Sequence, residues 1–407
     1  MVIDKEYEKY IRFYLDSTLN QKKLNKVFSI YPTGVNKKYT AYIQKLSGCD
    51  DYMLSYPVSA TWNLTSACNF RCVHCLYNDT KYSSENDLST VQAMKLADEL
   101  IHDFGVVYVL LTGGELFLRN DTMDLIRKFK ANNVGVKILT NASLMTEAQI
   151  DEIAELFNPY TDSVHISLDG AKNETFKKIR HTDTFEKIIQ NTKKLCYRKV
   201  KVTAVCTVSA INYSEVIDIY KLAGELGCYG FVASPVEYHN PSHTELMVSN
   251  KNLFKLAYEL FQCETPTTPC LAVTFFSPID LLNIPEVLTV IKEEHYQNII
   301  KAHSTEIQQR SCQYHDKISI QSDGRIYLCL EALANDLAPI GSYKNNSLLE
   351  IWENRHENML FKLRKIENMI CNDCRYNTYC NSGCKVKAYV NLKNLNAPQV
   401  DCHAYCL

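Results

Sequence analysis

From about Val58 the chain alternates short apolar runs with stretches of helical periodicity. Val58 to Leu64 reads as a strand. Ser89 and Thr90 offer an N-cap before a helix carrying Val91, Met94, Leu96, Leu100 and Ile101 on its apolar side. Val106 to Leu111 is continuously apolar, which predicts a strand buried on both faces. A helix over 121–132, a strand over 134–139, a Thr-capped helix over 146–156 and strands over 163–168 and 199–208 follow. A helix over 214–226 and a strand over 229–233 complete the series. Six strand–helix units in order predict an α/β fold with a parallel sheet, either a barrel or a doubly wound sheet. Polar signatures recur just after the strands, at their carboxyl ends, where such folds build their sites.

The flanks are less regular. Residues 1–57 are rich in Tyr and Lys. They predict a helix over 4–19 and weaker elements at 27–31 and 39–46, a plain extension packed on the barrel or a precursor-binding segment. Residues 241–305 form a bridge with helices expected over 251–262 and 280–300 and a strand over 273–276. Beyond 306, regular structure thins and cysteines return.

Composition narrows the classes. The 407 residues carry 44 Lys+Arg against 46 Asp+Glu, a formal charge of −2, so no global field draws the chain to nucleic acid or a membrane surface. The start is polar and no apolar run reaches the length of a bilayer span. Seventeen cysteines without a signal peptide are expected to be metal ligands in a reducing, cytoplasmic setting.

The chemistry centres on Cys68, Cys72 and Cys75, spaced C-x3-C-x2-C directly after the first strand. Three thiolates can hold a cubic iron–sulfur cluster by three irons and leave the fourth open, whereas structural zinc wants four ligands. The segment resembles the signature of the radical S-adenosylmethionine (SAM) enzymes. In that family the open iron chelates the cofactor, and one electron cleaves it to a 5′-deoxyadenosyl radical. The resemblance implies a partial (β/α)6 barrel. An aromatic residue usually precedes the third cysteine; here it is His74.

Gly113-Gly114-Glu115 resembles the family's turn at the methionine amino group, with Leu116 where proline is common. Ser167 and Asp169 stand two apart on one strand face, where a hydroxyl and a carboxylate suit a ribose diol, and Ser167 matches the family's polar contact. Asn141 resembles the Asn of a Thr-Asn-Gly turn, with Ala142 replacing glycine. Arg180 is expected to pair with the cofactor carboxylate.

The C-terminal cysteines run Cys312, Cys329 after Gly324, then Cys371, Cys374, Cys380, Cys384 and Cys402. Spacing alone allows a zinc ribbon, but seven cysteines are too many for one tetrahedral ion. The order resembles the SPASM extension, a small Cys-rich region of β-hairpin and loops that carries two auxiliary [4Fe–4S] clusters, making three in all. A hairpin is expected over 314–330, turning at Gly324. By that resemblance Cys312, Cys329 and Cys384 serve the first auxiliary cluster, and Cys371, Cys374, Cys380 and Cys402 the second. One iron of the first is left without a motif ligand; Cys263, Cys270 or Cys406 fills it, or it faces substrate. Cys49, Cys196, Cys206 and Cys228 read as small core residues.

The resemblance implies an anaerobic oxidoreductase that modifies a ribosomally made precursor peptide, for example by a thioether or C–C crosslink, with a flavodoxin- or ferredoxin-type electron donor. Maturation of a tetrapyrrole is the alternative within enzymes. The sulfatase-maturing reading is weaker, because Leu330 and Glu331 follow Cys329 where those enzymes carry Asp. The non-enzyme alternative is an iron–sulfur electron carrier.

Overall fold

A computed structural model of the chain describes residues 4–19, 56–76, 82–236, 241–263, 269–276, 281, 284–292, 295, 317–362, 384–395 and 397. Ten strands form one sheet: β1 (Ser59–Thr65), β2 (Tyr108–Gly113), β3 (Gly135–Thr140), β4 (Ser163–Ser167), β5 (Val202–Val208), β6 (Gly230–Pro235), β7 (Cys270–Val273), β8 (Lys317–Ile320), β9 (Arg325–Tyr327) and β10 (Gly341–Ser342). Their order is β10-β9-β8-β1-β2-β3-β4-β5-β6-β7. Strands β1 to β7 are parallel, curving into an unclosed, barrel-like sheet.

The helices expected over 4–19, after Ser89 and over 121–132, 146–156, 214–226 and 251–262 are present. In chain order, those used below are α1 (Lys5–Leu19), α2 (Thr90–Asp98), α3 (Thr122–Ala131), α4 (Glu147–Leu156), α5 (Asn173–Arg180), α6 (Phe185–Tyr197), α7 (Val216–Glu225), α8 (Asn250–Gln262), α9 (Pro285–Val290) and α10 (Leu330–Ala334). Ser89 with Gln92 and Thr146 with Gln149 form capping boxes that start α2 and α4. No helix among the described residues is long and apolar enough to cross a membrane.

The pleat sorts the sheet into two unlike faces. Trp62, Val109, Leu111, Val136, Ile138, Val164, Ile166, Ala204 and Phe231 lie on one side, all essentially unexposed. Each large one contributes about 1.5–3 kcal/mol by leaving water, so this helix-covered side is the core. On the other side the register brings Leu110, Lys137 and Ser163 together, and Leu139 with His165 and Thr203. In β2 only Val109 and Leu111 are fully buried, while Tyr108, Leu110 and Thr112 are half-buried. The expectation of a strand buried on both faces is therefore corrected. An unclosed barrel does not fill its interior with apolar side chains.

Outside the barrel, α1 packs on α8 through aromatic rings, Tyr14 meeting Phe254 edge-on at 5.3 Å. Strand β7 lies at Cys270–Val273, earlier than the expected 273–276. Within the stretch expected as one helix over 280–300, α9 is followed by an extended Ile291. The elements expected at 27–31 and 39–46 lie outside the described residues. The hairpin forms as expected, with Gly324 at φ +87° and Ser319 paired antiparallel to Tyr327. What the pattern did not disclose is where it docks. Strand β8 pairs parallel with β1, Ala60 opposite Ile318 and Trp62 opposite Ile320, so the hairpin continues the barrel sheet.

Candidate active site

The loop after β1 is tied to its neighbours by backbone bonds. Gly114 N–H donates to the Thr65 carbonyl and Glu115 N–H to the Ala67 carbonyl, each at 2.8 Å, and Val73 N–H donates to the Ile179 carbonyl at the end of α5 at 2.9 Å. The two glycines are required for this approach. A Cβ on Gly113, whose φ is +125°, would stand 2.5 Å from the Thr65 carbonyl oxygen, and one on Gly114 2.0 Å from that of Ala67. The glycine pair thus packs against the cysteine loop itself.

Cys68, Cys72 and Cys75 are free thiols on that loop, Cys72 buried and the others half-buried. Burial pushes the Cys68 thiol up to about 11, against the Phe70 N–H that donates to its sulfur at 3.4 Å. No three His, Cys, Asp or Glu side chains among the described residues converge on a single metal ion. A cubane makes a different demand, since its thiolates sit on separate irons. Three soft, closely spaced thiols on one loop fit that group.

Glu115 is fully buried behind the loop. Its carboxylate accepts from Phe117 N–H at 3.2 Å, Thr140 Oγ1 at 2.7 Å and Asn141 N–H at 2.8 Å. Burial pushes its carboxyl up, and these three bonds oppose that shift. Glu115 therefore braces the turn after β3. Asn141 ties that turn to the cysteine loop, donating from Nδ2 to Asn69 Oδ1 at 2.9 Å, while Asn69 donates to Ser143 Oγ at 2.9 Å. Ala142 takes the left-handed φ of 59°, which costs a non-glycine residue about 1–2 kcal/mol. Asn191 secures it by donating to the Ala142 carbonyl at 2.7 Å and to that of Met145 at 3.1 Å.

Ser167 ends β4, half-buried and on the inward face. Asp169 is not beside it on a shared ligand surface, as the alternation predicted. The strand has ended, and Asp169 is fully buried. One carboxylate oxygen accepts from Thr207 N–H at 2.7 Å; the other is ion-paired to Arg180 and lies 3.5 Å from His74 Nε2. Arg180, the last residue of α5, also donates from Nη1 to Cys72 Sγ at 3.3 Å. Burial opposes its charge, and Asp169 followed by Cys72 more than restores it. Burial brings His74 down to about 4, so its ring is neutral near pH 7. Sequence reasoning missed this contact set and the Asn69–Asn141–Ser143 net. Asn69 inside the cysteine loop was the one available signal.

Of the cysteines expected to hold auxiliary clusters, Cys329 caps α10 and Cys384 is half-buried; Cys312, Cys371, Cys374, Cys380 and Cys402 lie outside the described residues. Cys263 follows α8, and Cys270 opens β7 at its amino end, the rim opposite the Cys68 loop. Cys206 and Cys228 are buried and Cys196 half-buried, as core residues would be.

Comparison with known proteins agrees with this geometry. The radical SAM superfamily profile matches residues 62–223 and that of SPASM, an iron–sulfur cluster-binding domain, residues 312–375. The mycofactocin maturase MftC of Mycobacterium tuberculosis (strain H37Rv) is 36% identical over 177 residues, 43% of this chain and 44% of MftC. The match thus spans less than half of that relative. The AdoMet-dependent heme synthase of Methanosarcina barkeri is 24% identical over 347 residues, 83% of this chain and 93% of the synthase. The crystal structure of Streptococcus suis SuiB bound to precursor peptide SuiA superposes with a TM-score of 0.65 at 16% identity, covering 98% of this chain and 92% of SuiB. The chain carries a radical SAM superfamily domain over residues 62–223 and a SPASM iron–sulfur cluster-binding domain over residues 312–375.

Proposed function

We propose that the chain is a radical SAM enzyme that oxidatively modifies a ribosomally synthesised peptide. The observation that carries the enzymatic part is the joint between the cysteine loop and Gly113-Gly114-Glu115, made by the backbone bonds of Gly114 and Glu115. That joint places three thiols beside the carboxyl ends of β2 and β3. SuiB, which shares the fold and is solved with its precursor peptide, supports the peptide part.

When bound, a [4Fe–4S] cluster with S-adenosylmethionine would supply one-electron chemistry able to break an unactivated substrate C–H bond. Cys68, Cys72 and Cys75 hold that cluster. Gly113, Gly114 and Ser167 line the cofactor's place on the inward rim, and Glu115 and Asn141 keep the rim in register. His74, neutral and shielded, keeps a flat ring on the loop without adding charge. Cys312, Cys329, Cys371, Cys374, Cys380, Cys384 and Cys402 would hold two auxiliary clusters, groups able to accept an electron. A flavodoxin- or ferredoxin-type protein supplies the first electron. In this reading 58–240 form the catalytic barrel, 241–305 the bridge and 306–407 the auxiliary-cluster region, with 1–57 an extension packed by α1 on α8.

The test is anaerobic incubation of the reconstituted protein with S-adenosylmethionine, dithionite and a short Cys- or aromatic-rich peptide encoded beside its gene. Loss of hydrogen from the peptide by mass, with 5′-deoxyadenosine formed alongside, is the expected result. Cofactor cleavage coupled only to an iron porphyrin would replace the peptide by a tetrapyrrole. No cleavage with any substrate would remove the enzymatic reading.

A further inference from the structure

Arg180 was expected at the cofactor carboxylate. In the structure its guanidinium donates to Cys72 Sγ at 3.3 Å and is ion-paired to Asp169. The arrangement is built. Both side chains are largely shielded, at 11% and 0% exposure. Asp169 cannot swing away, because Thr207 N–H holds its Oδ1 at 2.7 Å and Asn212 Nδ2 holds its carbonyl at 3.0 Å. The helix end that carries Arg180 is fastened to the loop by Val73 N–H on the Ile179 carbonyl. His74 Nε2, at 3.5 Å, is the other group facing the same carboxylate oxygen.

Hydrogen bonds and charges at a cluster's ligand sulfurs set its reduction potential. Reduction adds one electron, hence one negative charge, to the cluster. A cation hydrogen-bonded to a ligand sulfur stabilises the reduced form more than the oxidised one, and in a site shielded from water the effect is weakly screened. Asp169 works in the opposite sense from one bond further out.

We propose that Arg180 and Asp169 are positioning residues that set the potential of the cluster on Cys68, Cys72 and Cys75, the guanidinium raising it and the carboxylate limiting the rise. The proposal rests on the cluster assignment made under Proposed function. It differs from a role in cofactor binding because it predicts an effect before any cofactor is added.

The experiment is a redox titration of the full reconstituted protein, followed by electron paramagnetic resonance without S-adenosylmethionine. The catalytic cluster is identified among the auxiliary ones as the signal that changes when the cofactor is then supplied. Arg180→Gln is expected to move the midpoint of that signal to a more negative value, Arg180→Lys to move it less, and Asp169→Asn to move it to a more positive value. Unchanged midpoints in variants with parental iron content would overturn the proposal, as would shifts of both Arg180→Gln and Asp169→Asn in one direction, the mark of a loosened loop. Should Arg180→Gln not assemble, Arg180→Lys and Asp169→Asn decide by the sign of their difference. A parent protein with no cofactor-responsive signal would instead defeat the cluster assignment itself.

Discussion

Gly114 and Ala67 are pressed together so closely that a methyl group on the first would stand 2.0 Å from the carbonyl oxygen of the second. That oxygen belongs to the backbone of the cysteine loop and also accepts the Glu115 N–H, so it cannot yield without dragging Cys68 with it. Gly114→Ala should cost about 3 kcal/mol or more. Iron content after reconstitution should fall by the share of one cluster while the auxiliary signals persist. Full iron content with an intact cofactor-responsive signal would contradict the loop geometry.

Glu115 faces three donors. A glutamine there keeps one acceptor oxygen and turns an NH2 toward N–H or O–H groups that need an acceptor. Leaving such a buried donor unmet costs about 1–3 kcal/mol. Glu115→Gln should therefore loosen the turn at Asn141 and weaken S-adenosylmethionine binding by about tenfold or more at undiminished iron content, read by equilibrium binding. Unchanged affinity would mean the turn has no part in the cofactor's place.

The hairpin is fastened to the barrel by a buried amide pair, Asn63 Nδ2 donating to Gln321 Oε1 at 2.8 Å, with Ser66 and Ser322 hydroxyls 2.7 Å apart just above. Asn63→Leu and Gln321→Leu should each lower stability by about 1–3 kcal/mol, because each takes away the bond that the other amide makes across the two strands. The double replacement should cost less than the two together, since it removes both polar groups at once. Thermal unfolding of the three variants checks the non-additivity; strictly additive losses would show that the pair is not coupled.

Lys137 sits on the inward face at 8% exposure. Burial, then the charges of Lys317 and Lys201, bring it from 10.5 down to about 8. Between those two values the unfolded chain binds the extra proton, so stability rises with pH across that window, and below about pH 8 the whole cost is in force. That cost is on the order of 3 kcal/mol. Lys137→Met should accordingly stabilise the protein at pH 7, with the advantage shrinking from about pH 8 to 10.5. A pH-independent difference would show that the amine is not held in this environment.

Much of the architecture was legible because it is written locally. Capping residues such as Ser89 and Thr146 and the apolar runs of β1 to β6 need only near neighbours, and so does the spacing of Cys68, Cys72 and Cys75. What was not legible shares a cause of another kind. Whether both sides of β2 are packed depends on whether the barrel closes, which no window of sequence reports. Asp169 kept its alternation on paper, but β4 stops at Ser167 and the carboxylate turns inward to Arg180 and Thr207. Arg180 is one of several basic residues on a polar helix, and only the docking of that helix end against Val73 selects it. The place of the hairpin was hidden for the same reason, since the pairing of β8 with β1 joins residues about 250 positions apart.

That pairing has a bearing on how the protein can be cut. Because Lys317 to Ile320 occupy the outer flank of the first barrel strand, a shortened version ending before them would bare a row of backbone donors and acceptors beside Ala60 and Trp62. Exposed rows of that kind recruit other chains. Truncated versions that keep the barrel and discard the hairpin are thus expected to precipitate, and the smallest piece worth expressing runs past Tyr327.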